Sequence, residues 1–371
     1  MSTNPEGRAW LRVRGDALLR NFARLRAAVG PAVRVIPMVK ADAYGLGMTE
    51  TVRVLRAGDP WGWGVATLGE GLRLRELGVE DPVVVFSPLV DDELEPAVRA
   101  RLQLAVSSLA SLDALVAAAD GAGTRTLVHV DVDTGMGRTG FDWRSASEWM
   151  PRVVAASRGD VRWVGCFTHL HSAEDDQASV SVQWERFEEA LSFLGDSPQD
   201  LVIHVLNSAG AFGVPEYARD AVRPGIFLYG GPIGSGHPAP EAVVSFHARV
   251  CHVRDVVAGT TVGYGATHRA AGATRWATLS VGYGDGLPRA LGNRGVVLLR
   301  GRRVPIIGRI SMDLTVVDIS DLPGVRVGDV ATLLGAEGGE EITLDEMAGL
   351  AGTISYEILT GFTQRLPRVW V

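Results

Sequence analysis

Six polar residues stand at or near the ends of apolar, β-branched runs, and their types suit one kind of chemistry: Lys40, Arg138, His169, Asn207, Ser208 and Arg223. Lys40 follows Val-Ile-Pro-Met-Val, so its stem leaves an apolar segment. A lysine so placed is partly desolvated, its pKa falls and its amine becomes nucleophilic, as a Schiff-base lysine requires. Read alone, a strand-end lysine in solvent is the favoured reading. Tyr44, in the AYGLG loop that follows, can donate to an anion or simply pack. Arg138 lies in the glycine-rich stretch DTGMGRTG (133–140) and can grip a carboxylate through its planar fork. That stretch lacks the Gly-Lys-Ser/Thr ending of a phosphate loop, which argues against a nucleoside triphosphate. Asn207-Ser208-Ala209-Gly210 and Pro224-Gly225-Ile226 offer a hydroxyl and close backbone approach, suited to a phosphate monoester, although both are also ordinary turn sequences. His169 and His171 form an H-x-H pair with Asp131, Asp133, Glu174 and Asp175 nearby in sequence, yet no metal site is expected. There is no Gly-x-Ser-x-Gly elbow.

The elements that must position these groups alternate in type. Strand candidates occupy 33–40, 61–67, 82–87, 102–108, 126–134, 161–170, 201–208 and 221–230. They are short, apolar and rich in β-branched residues, as strands covered on both faces should be. Amphipathic stretches separate most of them. Leu18, Leu19, Phe22, Leu25 and Val29 recur at helical spacing before Gly30-Pro31, and Trp184, Phe187, Leu191 and Leu194 do so before the seventh strand. Eight strand–helix units predict an α/β fold, a (β/α)8 TIM-like barrel; an open doubly wound sheet is the alternative. In a barrel the C-terminal strand ends face the active site, and phosphate often binds after strands seven and eight. The polar residues above collect at those ends.

A Gly/Pro-rich link, GGPIGSGHPAP, then separates a mostly-β C-terminal domain with one helix-like stretch, LDEMAGLAG. The expected domains are 8–230 for the barrel and 241–371 for the β domain, with residues 8–14 able to supply a strand to the latter. The 371 residues exceed one ordinary core, and 46% hydrophobic with 21% charged residues fits a globular enzyme. The net charge of −7 argues against a nucleic-acid partner. Cys166 and Cys251 form no motif and read as buried small hydrophobes. No signal peptide and no uncharged run near the ~18 residues of a membrane span are seen, so no membrane association is expected and the cytoplasm is the expected compartment.

With these residues laid out, the chain resembles the alanine racemases. The matching segments are VKADAYGLG around Lys40, DTGMGRTG around Arg138, THLHSAED around His169, HVLNSAG around Ser208 and VRPGIFLYG around Arg223. The second domain adds VGYGATH around Tyr264, VGYGDGLPR (281–289), GRISMD (308–313) and TISYE (353–357). They run in family order over nearly the whole chain. The resemblance implies pyridoxal 5'-phosphate (PLP) as cofactor, linked covalently to Lys40. It implies Tyr264 as the opposed second base, delivered by the partner subunit of a homodimer. Arg223 is similar to the arginine at the pyridine nitrogen, and His204 to the histidine behind it. His169 matches the ring beside the cofactor. Tyr44, Ser208, Gly225, Ile226 and Tyr356 match positions around the phosphate. Arg138 and Met312 match the substrate-carboxylate site, with Asp313 beside them. Tyr283, Arg289, Ile354 and Glu174 match the access channel.

The implied reaction interconverts L- and D-alanine, supplying D-alanine for peptidoglycan. Two bases on opposite faces take a proton from one side and return one to the other without turning the substrate. Lysine and tyrosine have free pKa values near ~10, so they need cations and desolvation to act near neutrality. An arginine partner does not readily yield its proton, so the pyridine nitrogen stays largely unprotonated and transamination is limited. Alternatives are a serine or broad-specificity racemase, a PLP-dependent decarboxylase, which usually sets a carboxylate where Arg223 stands, and a non-catalytic PLP carrier, which has no use for Tyr264. The chain departs from the family pattern at several positions. Asp131 replaces a lysine, often carbamylated, and is expected to pair directly with Arg138. Leu46 and His268 replace a frequent histidine and tyrosine, and Ser311 and Gly284 a frequent cysteine and alanine.

Overall fold

The computed structural model describes residues 7–159, 161–195 and 200–371. The valine-rich runs form parallel strands at Arg34–Val35, Trp63–Val65, Val83–Val85, Gln103–Val106, Thr126–Asp133, Val161–Phe167, Val202–His204 and Ala221–Val222. From Trp63–Val65 onward each pairs in parallel with its successor, and Ala221–Val222 returns to Arg34–Val35. The ring closes where Met38 bridges Gly64, with Val39 N donating to Gly64 O at 2.8 Å. The expected barrel is therefore present, and the open sheet is not. Most strands are shorter than expected. The eighth stops at Val222 because Pro224 has no N–H and the chain then turns through Gly225–Tyr229.

Helices cover the outer faces. Gly15–Val29 buries Leu18, Phe22 and Leu25 against the ring, and Gly30, at φ 89°, ends it. Gln177–Leu191 buries Val180 and Phe187 in the same way.

The C-terminal part is a second, antiparallel ring. Val244–Val256, Thr274–Leu279, Thr315–Asp318, Arg302–Ile307, Val296–Leu299 and Val330–Glu337 pair in that order, and the last returns to the first. Such closure removes exposed edges. Ala9–Val13 joins this sheet, antiparallel to Val244–Val256 and parallel to Arg368–Trp370. Ala9–Val13 is thus a strand of this second sheet. One continuous apolar core links both parts. The cysteines divide: Cys166 is buried, but Cys251 is exposed, contrary to expectation, because it falls where Val244–Val256 shifts register.

Candidate functional site

A cavity of about 460 Å³ opens at the C-terminal end of the barrel strands. Its lining includes Lys40, Tyr44, Asp131, Arg138, His169, Ser208, Arg223, Gly225, Ile226 and Tyr356. Glu174 and Ile354 stand at the same cavity. Residues scattered over three hundred positions therefore meet where barrel geometry places chemistry.

Lys40 begins an unusual turn. Ala41, Asp42, Ala43 and Tyr44 all have φ between 52° and 55°, a turn of left-handed helix. Each such residue costs roughly 1–2 kcal/mol when it carries a Cβ, so neighbours must hold the turn in place. Glu70 does so from the helix Leu68–Glu76: its carboxylate accepts from Ala41 N at 2.6 Å and from Ala66 N at 2.8 Å. Asp42 accepts from Met48 N at 2.7 Å. Burial among protein atoms lowers the Lys40 pKa, Arg138 and Arg223 lower it further, and Glu70 opposes them. A larger unprotonated fraction follows, which suits a nucleophile or base.

Arg223 lies at the cavity floor between the rings of Phe86 and Phe167, 5.7 and 5.3 Å from their centroids. Its Nη1 donates to His204 Nδ1 at 2.9 Å and His204 O at 2.6 Å. Nη2 donates to Thr168 O at 2.7 Å and Val205 O at 3.0 Å, and approaches His169 Nδ1 at 3.4 Å. Four of the five guanidinium donors are thus engaged, and the Nε–H has no protein partner among the described residues. Complete burial pulls its pKa down to about 10, so it stays charged at neutral pH. Desolvation and the charges of Arg223, Arg138 and Lys40 hold His169 down at about 3, so that ring is neutral.

The opposite end presents hydroxyls and closely approaching backbone. Ser208 opens the short helix Ser208–Gly213, and Asn207 caps it by accepting from Gly210 N at 2.9 Å. Ser208 Oγ in turn accepts from Gly225 N at 2.9 Å. A Cβ on Gly225 would lie 2.1 Å from Tyr44 Oη, so only glycine lets that hydroxyl approach the backbone. Burial raises the pKa of Tyr44 and Tyr356, keeping both hydroxyls protonated and able to donate. A spare buried arginine N–H at one end, a hydroxyl and glycine cradle at the other and a desolvated lysine between them fit PLP in donor type and size.

Two expected residues stand elsewhere. Tyr264 is 67% exposed and Met312 is 52% exposed on the β domain, and neither lines this chain's cavity. Tyr283 shares their exposed character, and Arg289 also lies off the cavity. The expected pairing of Asp131 with Arg138 is not made. Asp131 accepts from Thr139 Oγ1 at 2.8 Å and Ser107 Oγ at 3.4 Å instead, and Arg138 has no ion-pair partner among the described residues. The reason is local. Asp131 is a buried strand residue whose side chain points into the barrel, whereas Arg138 rides an exposed loop. His204 accepts from Arg223 and does not line the cavity.

Sequence reading missed Glu70, Gln103, His129 and Arg368. One signal was present: polar residues at alternate positions of valine strands, as in Val128-His129-Val130-Asp131-Val132, must face the barrel interior. Arg368 carried no such mark, because its partner, the Gly45 carbonyl, lies in the other domain.

Comparison with known proteins gives a consistent result. The description of the alanine racemase N-terminal domain matches residues 13–232, and that of the alanine racemase C-terminal domain matches 243–370. The alanine racemase of Desulfosudis oleivorans is 37% identical, over 98% of this chain and 96% of its own. That of Nostoc sp. is also 37% identical, over 98% and 96%. Among solved structures, the alanine racemase of the D-cycloserine producer Streptomyces lavendulae aligns with a TM-score of 0.91 at 31% identity, covering 98% of this chain and 97% of that one. The Bartonella henselae alanine racemase, with covalently bound pyridoxal phosphate, aligns with a TM-score of 0.90 at 28% identity, covering 98% and 100%.

Proposed function

The chain belongs to the alanine racemase family, and on that footing we propose how its own residues carry out the reaction. The protein is a PLP-dependent enzyme that interconverts L- and D-alanine. The observation that carries the site assignment is the single cavity in which Lys40, Arg138, His169, Ser208 and Arg223 meet.

PLP, when bound, withdraws electron density from the substrate Cα and makes its proton removable. Lys40 would hold the cofactor covalently, and its amine would serve as the base on one face; its lowered pKa supports that role. The Tyr264 phenol serves the other face, from the partner subunit of a homodimer. Its exposure, with Met312, Tyr283 and Ile354 also exposed, supports a shared site. Arg223 would be the partner of the ring nitrogen, with its Nε–H free of protein partners among the described residues, and His204 holds the guanidinium from behind. His169 packs beside the ring as a neutral group. Ser208, Gly225, Ile226, Tyr44 and Tyr356 hold the phosphate. Arg138 orients the substrate carboxylate, and the partner's copy of the Met312 segment closes over it. Because Arg138 is not tied to Asp131, its fork remains available for a carboxylate.

We assign residues 8–230 to the barrel and 241–371 to the β domain, with Ala9–Val13 paired into the latter sheet. None of the helices is long and apolar enough to cross a membrane among the described residues. A cytoplasmic supply of D-alanine for peptidoglycan is the physiological role we propose. The test is an absorbance scan of purified protein, then circular dichroism of L-alanine incubated with it. Rising D-alanine supports the reading. Turnover of serine or lysine exceeding that of alanine overturns the substrate choice, and release of carbon dioxide overturns the reaction.

A further inference from the structure

Behind Arg223 the hydrogen-bonded line continues past His204. His204 Nε2 lies 2.8 Å from His129 Nδ1, and His129 Nε2 lies 2.6 Å from Gln103 Oε1. The two histidines are fully buried and Gln103 nearly so. The residues come from four barrel strands or their ends: the fourth, fifth, seventh and eighth. Space for the line is made by the sixth. A Cβ on Gly165 would meet His129 Nδ1 at 2.0 Å, so only glycine at 165 admits the ring in this position.

The direction of every bond follows from one end. A guanidinium only donates, so His204 Nδ1 must accept from Arg223 and its proton sits on Nε2. His129 Nδ1 must then accept and its proton also sits on Nε2. Gln103 receives that proton on its carbonyl oxygen. An amide terminus can present either an acceptor or a donor.

We propose that Gln103 and His129 are positioning residues of the racemase, forming with His204 a one-way relay that fixes the Arg223 guanidinium and keeps a mobile proton away from the ring nitrogen. The inference rests on the reading of Arg223 as partner of that nitrogen. The relay commits Nη1 to His204, and the Nε–H of this cavity-lining arginine has no protein partner among the described residues. Both imidazoles are neutral, since burial and the Arg223 charge push their proton affinity far down. No group in the line can pass a proton forward without reversing all of its members together.

The test is nitrogen NMR of the PLP-loaded enzyme with 15N-labelled histidine. Near neutral pH, the signals of His129 and His204 should each show a protonated Nε2 and a bare Nδ1. An imidazolium, or a protonated Nδ1 on either ring, overturns the proposal. Arg223→Glu replaces the obligatory donor by an acceptor, so both rings should switch to the Nδ1–H form as the Gln103 amide turns its NH2 inward. Arg223→Glu combined with Gln103→Glu leaves acceptors at both ends, so an added proton should make one ring imidazolium. If the double variant matches Arg223→Glu alone, Gln103 is merely packing and its role is rejected. Should either variant fail to fold, the unaltered enzyme still decides the tautomers. The NMR pattern is independent of turnover, so failure of D-alanine formation would count against the function and not against the relay.

Discussion

Arg368, on the last strand of the β domain, donates to the Gly45 carbonyl at 2.8 Å from Nη2 and 3.1 Å from Nε. Its other donors reach Phe362 O, Thr363 O and Leu366 O. One side chain thus joins the β domain to the end of the left-handed turn that starts at Lys40. Arg368→Leu should lower stability by about 2 kcal/mol, the scale of lost bonds to a charged group. It should also speed loss of PLP on dialysis. Unchanged melting and unchanged colour would show that the turn holds itself.

Lys40→Ala should abolish the absorbance near the visible edge that marks lysine-linked PLP, and racemisation in both directions should fall by at least a factor of about 10³, as for loss of a covalent and basic group. Retained colour would place the covalent link on another residue.

Tyr264→Ala should keep the colour. It should slow exchange of the α-proton of L-alanine more than that of D-alanine, measured in deuterated water. Equal slowing would speak against the assignment of faces. Because Tyr264 is absent from its own chain's cavity, mixing it with a Lys40→Ala chain should restore some activity through one intact composite site.

Gly225→Ala introduces a methyl 2.1 Å from Tyr44 Oη. The tyrosine must move or the backbone must yield, and PLP affinity should drop about tenfold for overpacking of 1–3 kcal/mol. Adding Tyr44→Phe should recover part of that loss, and no recovery would mean that the clash lies elsewhere.

Asp131 offers a pH test. Burial raises its pKa above the ordinary 3.8, against the lowering bonds from Thr139 and Ser107 and the charge of Arg223. The folded chain therefore holds this proton more tightly than the unfolded chain. The stability gained is fully present below the ordinary value and is lost as pH rises through the raised one. Asp131→Asn should consequently raise the melting temperature near pH ~7 and change it less near pH ~4. An equal effect at both pH values would mean that desolvation is not the controlling factor.

Much of the barrel was legible because strands covered on both faces need apolar residues: Val83–Val85 is all valine, and Val161–Phe167 is apolar apart from Arg162 and Gly165. The cavity residues were legible because a barrel sends its strand ends to one face. The turn at Ala41–Tyr44 was not, since nothing in Ala-Asp-Ala-Tyr favours positive φ; Glu70, Met48 and the β domain impose it from outside. The pairing of Asp131 with Arg138 was misjudged because nearness in sequence said nothing about a strand side chain facing inward while the loop carries the arginine away. Tyr264 could be assigned to a partner only through family likeness, since an exposed phenol has many uses.

The parallel pairing of Ala9–Val13 with Arg368–Trp370 has a consequence for the order of events during synthesis. A ribosome delivers that opening strand before any of its neighbours exist, and its last neighbour emerges only after both rings have been made. Contacts so distant along the chain form late and slowly. The barrel can mature early, yet the grip on its lysine turn should tighten only once the strand that carries Arg368 has been made.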